Sequence, residues 1–286
     1  PKDILAEITP KLESLGDRVS NDILKMGDDA DQNEPIHIPF DAWGKRIDEI
    51  RVSKGWEDLN GVSAEEELIS LGYTRPYGEY SRVCQFAKLY LFSPSSALFS
   101  CPLAMTDGAA KLIELFGNDD LKERAFQNLI SNDPNRFWTA GQWMTEKTGG
   151  SDVSKSETIA KKDGDNYHLY GLKWFTSAVT APMAMTLARI EDVNGNSISG
   201  NKGLSLFYLE LKGNDNNYNN LEIIRLKDKL GSRALPSAEV KLNGAKAHLV
   251  GQIGKGVKTI ATMFNITRIH NALNSMAFSK RVLDLA

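Results

Sequence analysis

The chain has 286 residues, 41% of them hydrophobic, and a formal net charge of −3 with a pI near 5.9. That is enough apolar material for a large core, and the length suggests two domains. There is no basic excess to meet nucleic acid or an anionic membrane, and no apolar run approaches the length of a membrane-spanning helix.

Pro1-Lys-Asp-Ile carries neither an initiator Met nor an apolar signal region, which leaves a removed presequence or a trimmed terminus open. Ile8, Leu12, Leu15 and Val19 recur at helical spacing and predict an amphipathic helix. Met26 to Pro39, with Asp28, Asp29, Asp31 and two prolines, is expected to be a solvated loop rather than a metal site. Trp43, Ile47 and Ile50, then Leu68, Ile69 and Leu71, mark further short helices, and Ser63 three residues before Glu66 suggests a capping box for the second. Tyr80 to Phe99 predicts a long helix that Pro94 kinks or ends. Its aromatics Phe86, Tyr90 and Phe99 suit core packing or the lining of a ligand cavity. Met105 to Phe116 and Leu121 to Ile130 continue as helices, with Asn118-Asp-Asp as the break and N-cap.

After Asn132-Asp-Pro-Asn the helical period gives way to a strand period. Candidate strands are Phe137–Met144, Ser156–Lys161, Asn166–Trp174, Met185–Ile190, Leu204–Leu211, Leu221–Arg225, Ala238–Leu242 and Ala245–Val250. Turns are expected at Asp163-Gly164, Asn194-Gly195 and Asn243-Gly244, and a polar surface loop from Asn214 to Asn220. From Gly254 the pattern is helical again, through Val257, Ile260, Met263, Ile269, Leu273 and Val282. The expected class is α+β. Residues 1–136 form a helical domain, 137–252 an antiparallel β sandwich or barrel, and 253–286 the first part of a further helical domain.

Cys84 and Cys101 show no metal spacing and are read as free thiols of a reducing compartment, with a disulfide as the other reading. His168, His248 and His270 are not grouped for metal binding and are read as structural.

The stretch Gln142-Trp-Met-Thr-Glu-Lys-Thr-Gly-Gly-Ser-Asp152 is a strand end breaking into a glycine-rich loop. Thr145, Thr148 and Ser151 bring hydroxyls, while Gly149 and Gly150 permit positive φ and close approach of a ligand. By itself this is equally an ordinary strand-to-strand turn. It is joined by Gly171-Leu-Lys-Trp-Phe-Thr-Ser177, Lys229-Leu-Gly-Ser-Arg233 and Leu249-Val-Gly251. In Lys229–Arg233, Gly231 suits a tight turn, and Arg233 an acid partner or an adjoining subunit.

Together these stretches resemble the acyl-CoA dehydrogenase family. The wording of Met144–Val153, Lys173-Trp-Phe and Arg225-Leu-Lys-Asp-Lys-Leu-Gly is most similar to the alkylation-response, AidB-type branch. The resemblance implies helical, β and C-terminal helical-bundle domains and a bound FAD. Gln142, Trp143, Met144 and Thr145 would hold the isoalloxazine ring. Ser151 would meet the FAD pyrophosphate and the acyl-CoA pantetheine. Trp174, Phe175 and Thr176, with Ser177 as a neighbouring alternative, would cover one flavin face and bring a hydroxyl to N5. The family pattern places substrate contacts at Asn265 and Arg268, but its acidic residue is here Asn265. Arg268 has substrate contact and a structural ion pair as equal readings. Some members place the carboxylate base where this chain has Thr267, which cannot serve; others place it later, beyond Ala286 here.

The function implied is removal of the α-proton and β-hydride of a fatty acyl-CoA. A homotetramer, an electron-accepting flavoprotein and a mitochondrial or cytoplasmic location accompany it. The rival is a flavin-containing binding protein that sequesters acyl-CoA with little turnover, or a nucleic-acid-associated alkylation-response protein. No Lys/Arg run supports the latter.

Overall fold

The computed structural model describes residues 1–213 and 215–286. Helices α1 (Lys2–Ser20) and α2 (Asp22–Gln32) lead into a hairpin of β1 (Ile36–Phe40) and β2 (Arg46–Arg51). Next come α3 (Lys54–Glu65), α4 (Leu71–Thr74), α5 (Ser81–Phe92), α6 (Ser100–Phe116), α7 (Asp119–Leu121) and α8 (Gln127–Leu129). Strands β3 (Ala140–Trp143), β4 (Ile159–Asp163), β5 (Asn166–Ser177), β6 (Met183–Glu191), β7 (Leu204–Glu210), β8 (Leu221–Leu226) and β9 (Ser237–Val250) follow, and α9 (Gly256–Leu285) closes the order.

Several expectations hold for local physical reasons. α1 buries Ile8, Leu15 and Val19 on one face. Pro94 ends α5 in a short 3-10 turn. Asn118 caps α7, its side chain accepting from Leu121 N at 2.9 Å. Cys84 and Cys101 are free thiols. Phe99 packs edge-on against Trp56 at 4.7 Å, whereas Phe86 and Tyr90 are half-buried.

Others need correction. The acidic cluster Asp28, Asp29 and Asp31 is helical, because α2 buries Ile23, Gly27 and Ala30 beneath it. Asp29 accepts from Gly55 N at 2.7 Å. Trp43, Ile47 and Ile50 lie in the β1–β2 hairpin, not a helix, with Trp43 at its exposed tip. Ser63 is not a cap. It sits inside α3 and donates to Leu59 O, while Ser53 caps that helix through Trp56 N. Asn243-Gly244 is not a turn either. Gly244, at φ +92°, forms a bulge within the single long strand β9. Of the polar segment Asn214–Asn220, Asn214 lies outside the described residues; Tyr218 is half-buried and donates to Asp48 O at 3.0 Å.

The main sheet runs β3-β6-β4-β5-β9-β7, and β7 also pairs β6, closing a barrel; β8 extends it from β9. Most pairs are antiparallel, but β3 and β4 both run parallel to β6, along successive halves of one edge. The strands alternate between two cores. Ala184, Ala188, Phe207 and Leu209 point into the barrel with Trp143 and Tyr167. Met183, Met185, Leu187, Leu206 and Tyr208 point to the helices. Both faces are buried, so β6 and β7 are mostly apolar, with Thr186, Arg189 and Ser205 among their buried polar residues.

α9 joins the barrel to the helical layer. It passes so close to α6 that a Cβ on Gly108 would lie 2.5 Å from Met263 Cγ and 3.2 Å from Met263 Cα. Gly108→Val is therefore expected to lower stability by about 1–3 kcal/mol or more through overpacking, measured as a fall in the urea midpoint without a change in slope.

Candidate functional site

The glycine-rich loop forms as expected, but its glycines serve differently. Neither Gly149 nor Gly150 has positive φ. Residues 146–149 close a tight turn, with Glu146 N donating to Gly149 O and Gly149 N to Glu146 O. A side chain on Gly149 would run into the Asp152 carbonyl. Thr148 Oγ1 donates to Lys155 O at 3.0 Å, and Asp152 Oδ1 accepts from Ser154 N. Similarly, in the Lys229–Arg233 stretch the left-handed residue is Ser232 (φ +54°), not Gly231. Arg233 pairs with Glu34 and Asp228.

A buried ion pair holds the loop to β5. Lys173 is fully buried, and its Nζ donates to Glu146 Oε1 at 2.7 Å and to Leu187 O at 2.9 Å. Glu146 also accepts from Thr158 Oγ1 at 2.6 Å and from Glu157 N at 2.6 Å. Burial would raise the Glu146 carboxyl, but Lys173 and these donors outweigh it and hold it below the usual carboxylate range. Burial lowers Lys173, with Glu146 opposing the fall.

β5 slips against β9 between Lys173 and Thr176. Trp174 and Phe175 are thereby freed from the ladder, and Trp174 N donates instead to Thr145 O at 2.9 Å. This backbone bond, with Trp143 Nε1 donating to Ser177 O at 3.1 Å, joins the two expected flavin segments. Trp174 is half-buried, with Lys227 Nζ 3.3 Å and Lys147 Nζ 4.6 Å from its ring centroid. Lys227 and Arg225 converge on Glu239.

The expected flavin contacts divide by what they have free. Trp143 is fully buried in the barrel, with Nε1 donating to Ser177 O, and Met144 packs in the helical core, so both side chains are committed elsewhere. Thr176 is also fully buried, and its hydroxyl proton goes to Ala238 O at 2.8 Å. Ser177 Oγ lies 3.0 Å from Ser237 Oγ. Thr145 is half-buried, Phe175 is 39% exposed, and Ser151 is exposed. Gln142 Oε1 is buried without a hydrogen-bond partner among the described residues. An orphaned acceptor near the end of β3, three residues before Thr145, fits a ligand edge that carries an N–H donor, as the flavin pyrimidine ring does.

Asn265 and Arg268 lie exposed on α9, with Arg268 Nη1 donating to Asn265 Oδ1 at 3.2 Å. Among the described residues no hydrogen bond connects them to the loop or to β5. Thr267 Oγ1 donates to Phe264 O. No group of three His, Cys, Asp or Glu suits a metal among the described residues. A separate cleft of about 980 Å³ lies between the hairpin, α3, the start of α6 and residues 178–182, with Phe99 and Trp138 in its wall; none of the flavin-segment residues lines it.

Sequence reading missed a buried polar hub. Asp107 on α6 accepts from Tyr73 Oη (2.7 Å), Arg82 Nη1 (2.7 Å), Gln85 Nε2 (3.2 Å) and His270 Nε2 (2.9 Å), and both Asp107 and His270 are fully buried. Four donors from three other helices and one acceptor leave no spacing pattern to read. Burial raises the Asp107 carboxyl, but His270, Arg82 and Tyr73 outweigh it and hold it below its ordinary value. Asp107 and Glu146 both have depressed folded-state values. Their stabilisation is thus complete above the unfolded carboxylate range and is lost as pH falls through the folded values. Unfolding free energy should change little from pH 7 to about 5 through these groups and drop below about pH 4, as checked by urea midpoints at stepped pH.

Two family models match the chain: the acyl-CoA dehydrogenase middle domain over residues 141–245, and the N-terminal domain of the adaptive response protein AidB over residues 4–134. The acyl-CoA dehydrogenase family member 11 of Caenorhabditis elegans is 45% identical, covering 100% of this chain and 47% of that protein. The putative acyl-CoA dehydrogenase AidB of Escherichia coli (strain K12) is 30% identical, covering 96% of this chain and 51% of its own length. The solved structure of Caenorhabditis elegans ACDH-11 in complex with C11-CoA superposes with a TM-score of 0.96 at 45% identity, over 99% of this chain and 49% of that one. The apo form of Bd2924 superposes with a TM-score of 0.96 at 50% identity, over 100% of this chain and 57% of that one. The chain thus spans about half the length of the curated relatives it matches. With both models in sequence order and the loop, bulge and barrel in place, the chain belongs to the acyl-CoA dehydrogenase family, in its AidB-type branch.

Proposed function

We propose that this chain forms the flavin- and thioester-binding part of a FAD-dependent acyl-CoA dehydrogenase acting on a fatty acyl-CoA. The observation that carries the reading is the Trp174 N to Thr145 O bond, together with the orphaned Gln142 Oε1 three residues before Thr145. It is supported by relatives named as acyl-CoA dehydrogenases and by one solved with C11-CoA. Bound FAD would supply the acceptor for the hydride leaving the β-carbon of the thioester.

The residues of this chain bind and orient. Gln142 Oε1 and the Thr145 hydroxyl offer an acceptor and a donor to the ring edge. Trp174 and Phe175 offer an aromatic wall, and Ser151 a hydroxyl from the loop. Thr176 holds its proton on Ala238 O, so a donor toward N5 falls to Ser177 or to the backbone. Glu146 is not the base, because Lys173, Thr158 and Glu157 already occupy its carboxylate. The α-proton is assigned to no residue of this chain. The same reading divides the chain after 136 and 252, and includes a homotetramer and an electron-accepting flavoprotein.

The test is a visible absorption spectrum of the purified protein before and after addition of undecanoyl-CoA. Flavin bands that bleach support dehydrogenation. Bands that shift without bleaching support an acyl-CoA-binding flavoprotein with little turnover. Absence of flavin bands would overturn the reading of Gln142, Thr145, Ser151 and Trp174.

A further inference from the structure

Arg189, on β6, is 7% exposed, and among the described residues no carboxylate pairs with it. Its guanidinium is held entirely by backbone carbonyls. Nε donates to Ser156 O at 2.7 Å, Nη2 to Ser154 O, and Nη1 to Ile198 O at 2.7 Å and Gly200 O at 2.8 Å. Two of these carbonyls follow Ser151 in the glycine-rich loop. The other two lie in the excursion between β6 and β7, which turns at Asp192–Asn196 and returns through the 3-10 turn Asn201–Gly203.

A buried cation without a counter-ion is costly unless its donors are matched by fixed dipoles. Here the matched dipoles belong to two separate irregular segments, so neither can leave without unpairing the cation. The glycine-rich loop is consequently pinned at both ends, by Lys173 at Glu146 and by Arg189 at Ser154 and Ser156. The excursion leads directly to Ser205, whose hydroxyl accepts from Gly254 N at 2.9 Å just before α9 begins. A Cβ on Gly203 would run first into Ile198 O, itself an Arg189 acceptor, and would lie 2.7 Å from Arg189 Nη1, so the seat leaves no room for a larger residue.

We propose that Arg189 is a positioning residue. By clamping the Ser151 loop to the 198–203 segment, it sets where Ser151 stands for an acyl thioester without touching that ligand. The inference rests on the assignment of Ser151 above, and it goes beyond it by making acyl-CoA affinity depend on a remote guanidinium. The Arg189 side chain is not in the flavin segments, so binding should suffer more than chemistry.

The experiment compares wild type, Arg189→Gln, Arg189→Lys and Gly203→Ala in the purified flavoprotein. Undecanoyl-CoA is the probe, and amide hydrogen exchange is followed in parallel. Arg189→Gln should raise KM for undecanoyl-CoA about tenfold with kcat changed about twofold or less. Exchange should quicken together at 151–156 and 198–203. Arg189→Lys, which keeps the charge but not the fork, should recover part of the affinity. Gly203→Ala should displace the Ile198 acceptor and so mimic Arg189→Gln from the other segment, and Arg189→Lys keeps the test informative if either of these variants does not fold. Exchange that quickens in one segment alone, or an unchanged KM with both segments loosened, overturns the inference while leaving the flavin reading intact. A wild-type protein with no flavin bands removes the reading on which it rests, and the inference with it.

Discussion

Lys173→Met is expected to destabilise the protein by about 3–5 kcal/mol, the usual result of stranding one member of a buried ion pair. Lys173 is fully buried, and Glu146 is 4% exposed, so water cannot replace the lost ammonium. The remaining donors, Thr158 Oγ1 and Glu157 N, do not neutralise the carboxylate. Two further outcomes separate this from simple loss of packing. Adding Glu146→Gln to Lys173→Met should restore part of the stability, since the stranded charge is gone. The wild-type Glu146 carboxyl is held low, while in Lys173→Met burial would push it up. A raised folded value favours the protonated folded state in acid, so the stability gap should narrow as pH falls through the carboxylate range. The loop from Glu146 to Ser156 should also lose protection from exchange. Urea unfolding at neutral and acid pH checks both points, and an unchanged midpoint would refute the pair's role.

Asp107→Ala is expected to have the second large effect, again about 3–5 kcal/mol. The carboxylate is fully buried and bonded to Tyr73, Arg82, Gln85 and His270, so its removal unpairs donors on α4, α5 and α9 at once. His270 would be left worst, because its other ring nitrogen, Nδ1, is already buried without a partner among the described residues. The damage should therefore appear first where α9 meets α5 and α6, beside the edge-on contact of Phe86 with His270 at 5.2 Å. Exchange along α9 measured against exchange in the barrel distinguishes this from global loosening. If α9 stays as protected as the barrel strands, the hub does not hold it.

The order of helices, barrel and helix was legible because each long element carries a strong period of its own. The failures have local causes. Ile47 and Ile50 stand three apart and suggest a helix, but Asp48 between them adopts a left-handed φ of +48°, which kinks the strand and upsets its alternation. Asp48 is buried as it accepts from Arg46, His37 and Ile223 N, partners 2, 11 and 175 residues away. Asn243-Gly244 carries a turn signature that pairing with β5 overrides, turning it into a bulge under the Tyr170 ring.

At the site, the residue types that suit a flavin were visible in the chain, and so was the family that uses them. Helix and strand periods and the loop's Gly, Thr and Ser residues are local properties, written into neighbouring positions. The direction in which each side chain points was not. Trp143 and Thr176 sit in the right motif yet turn into the core, because the pleat sends alternate residues to opposite faces and the barrel closes over one of them. Glu146 with Lys173, Asp107 with His270, and Arg189 with its four carbonyls join positions 9 to 163 residues apart. Only burial makes such charges require those partners, and burial exists only once the barrel and the helices have packed.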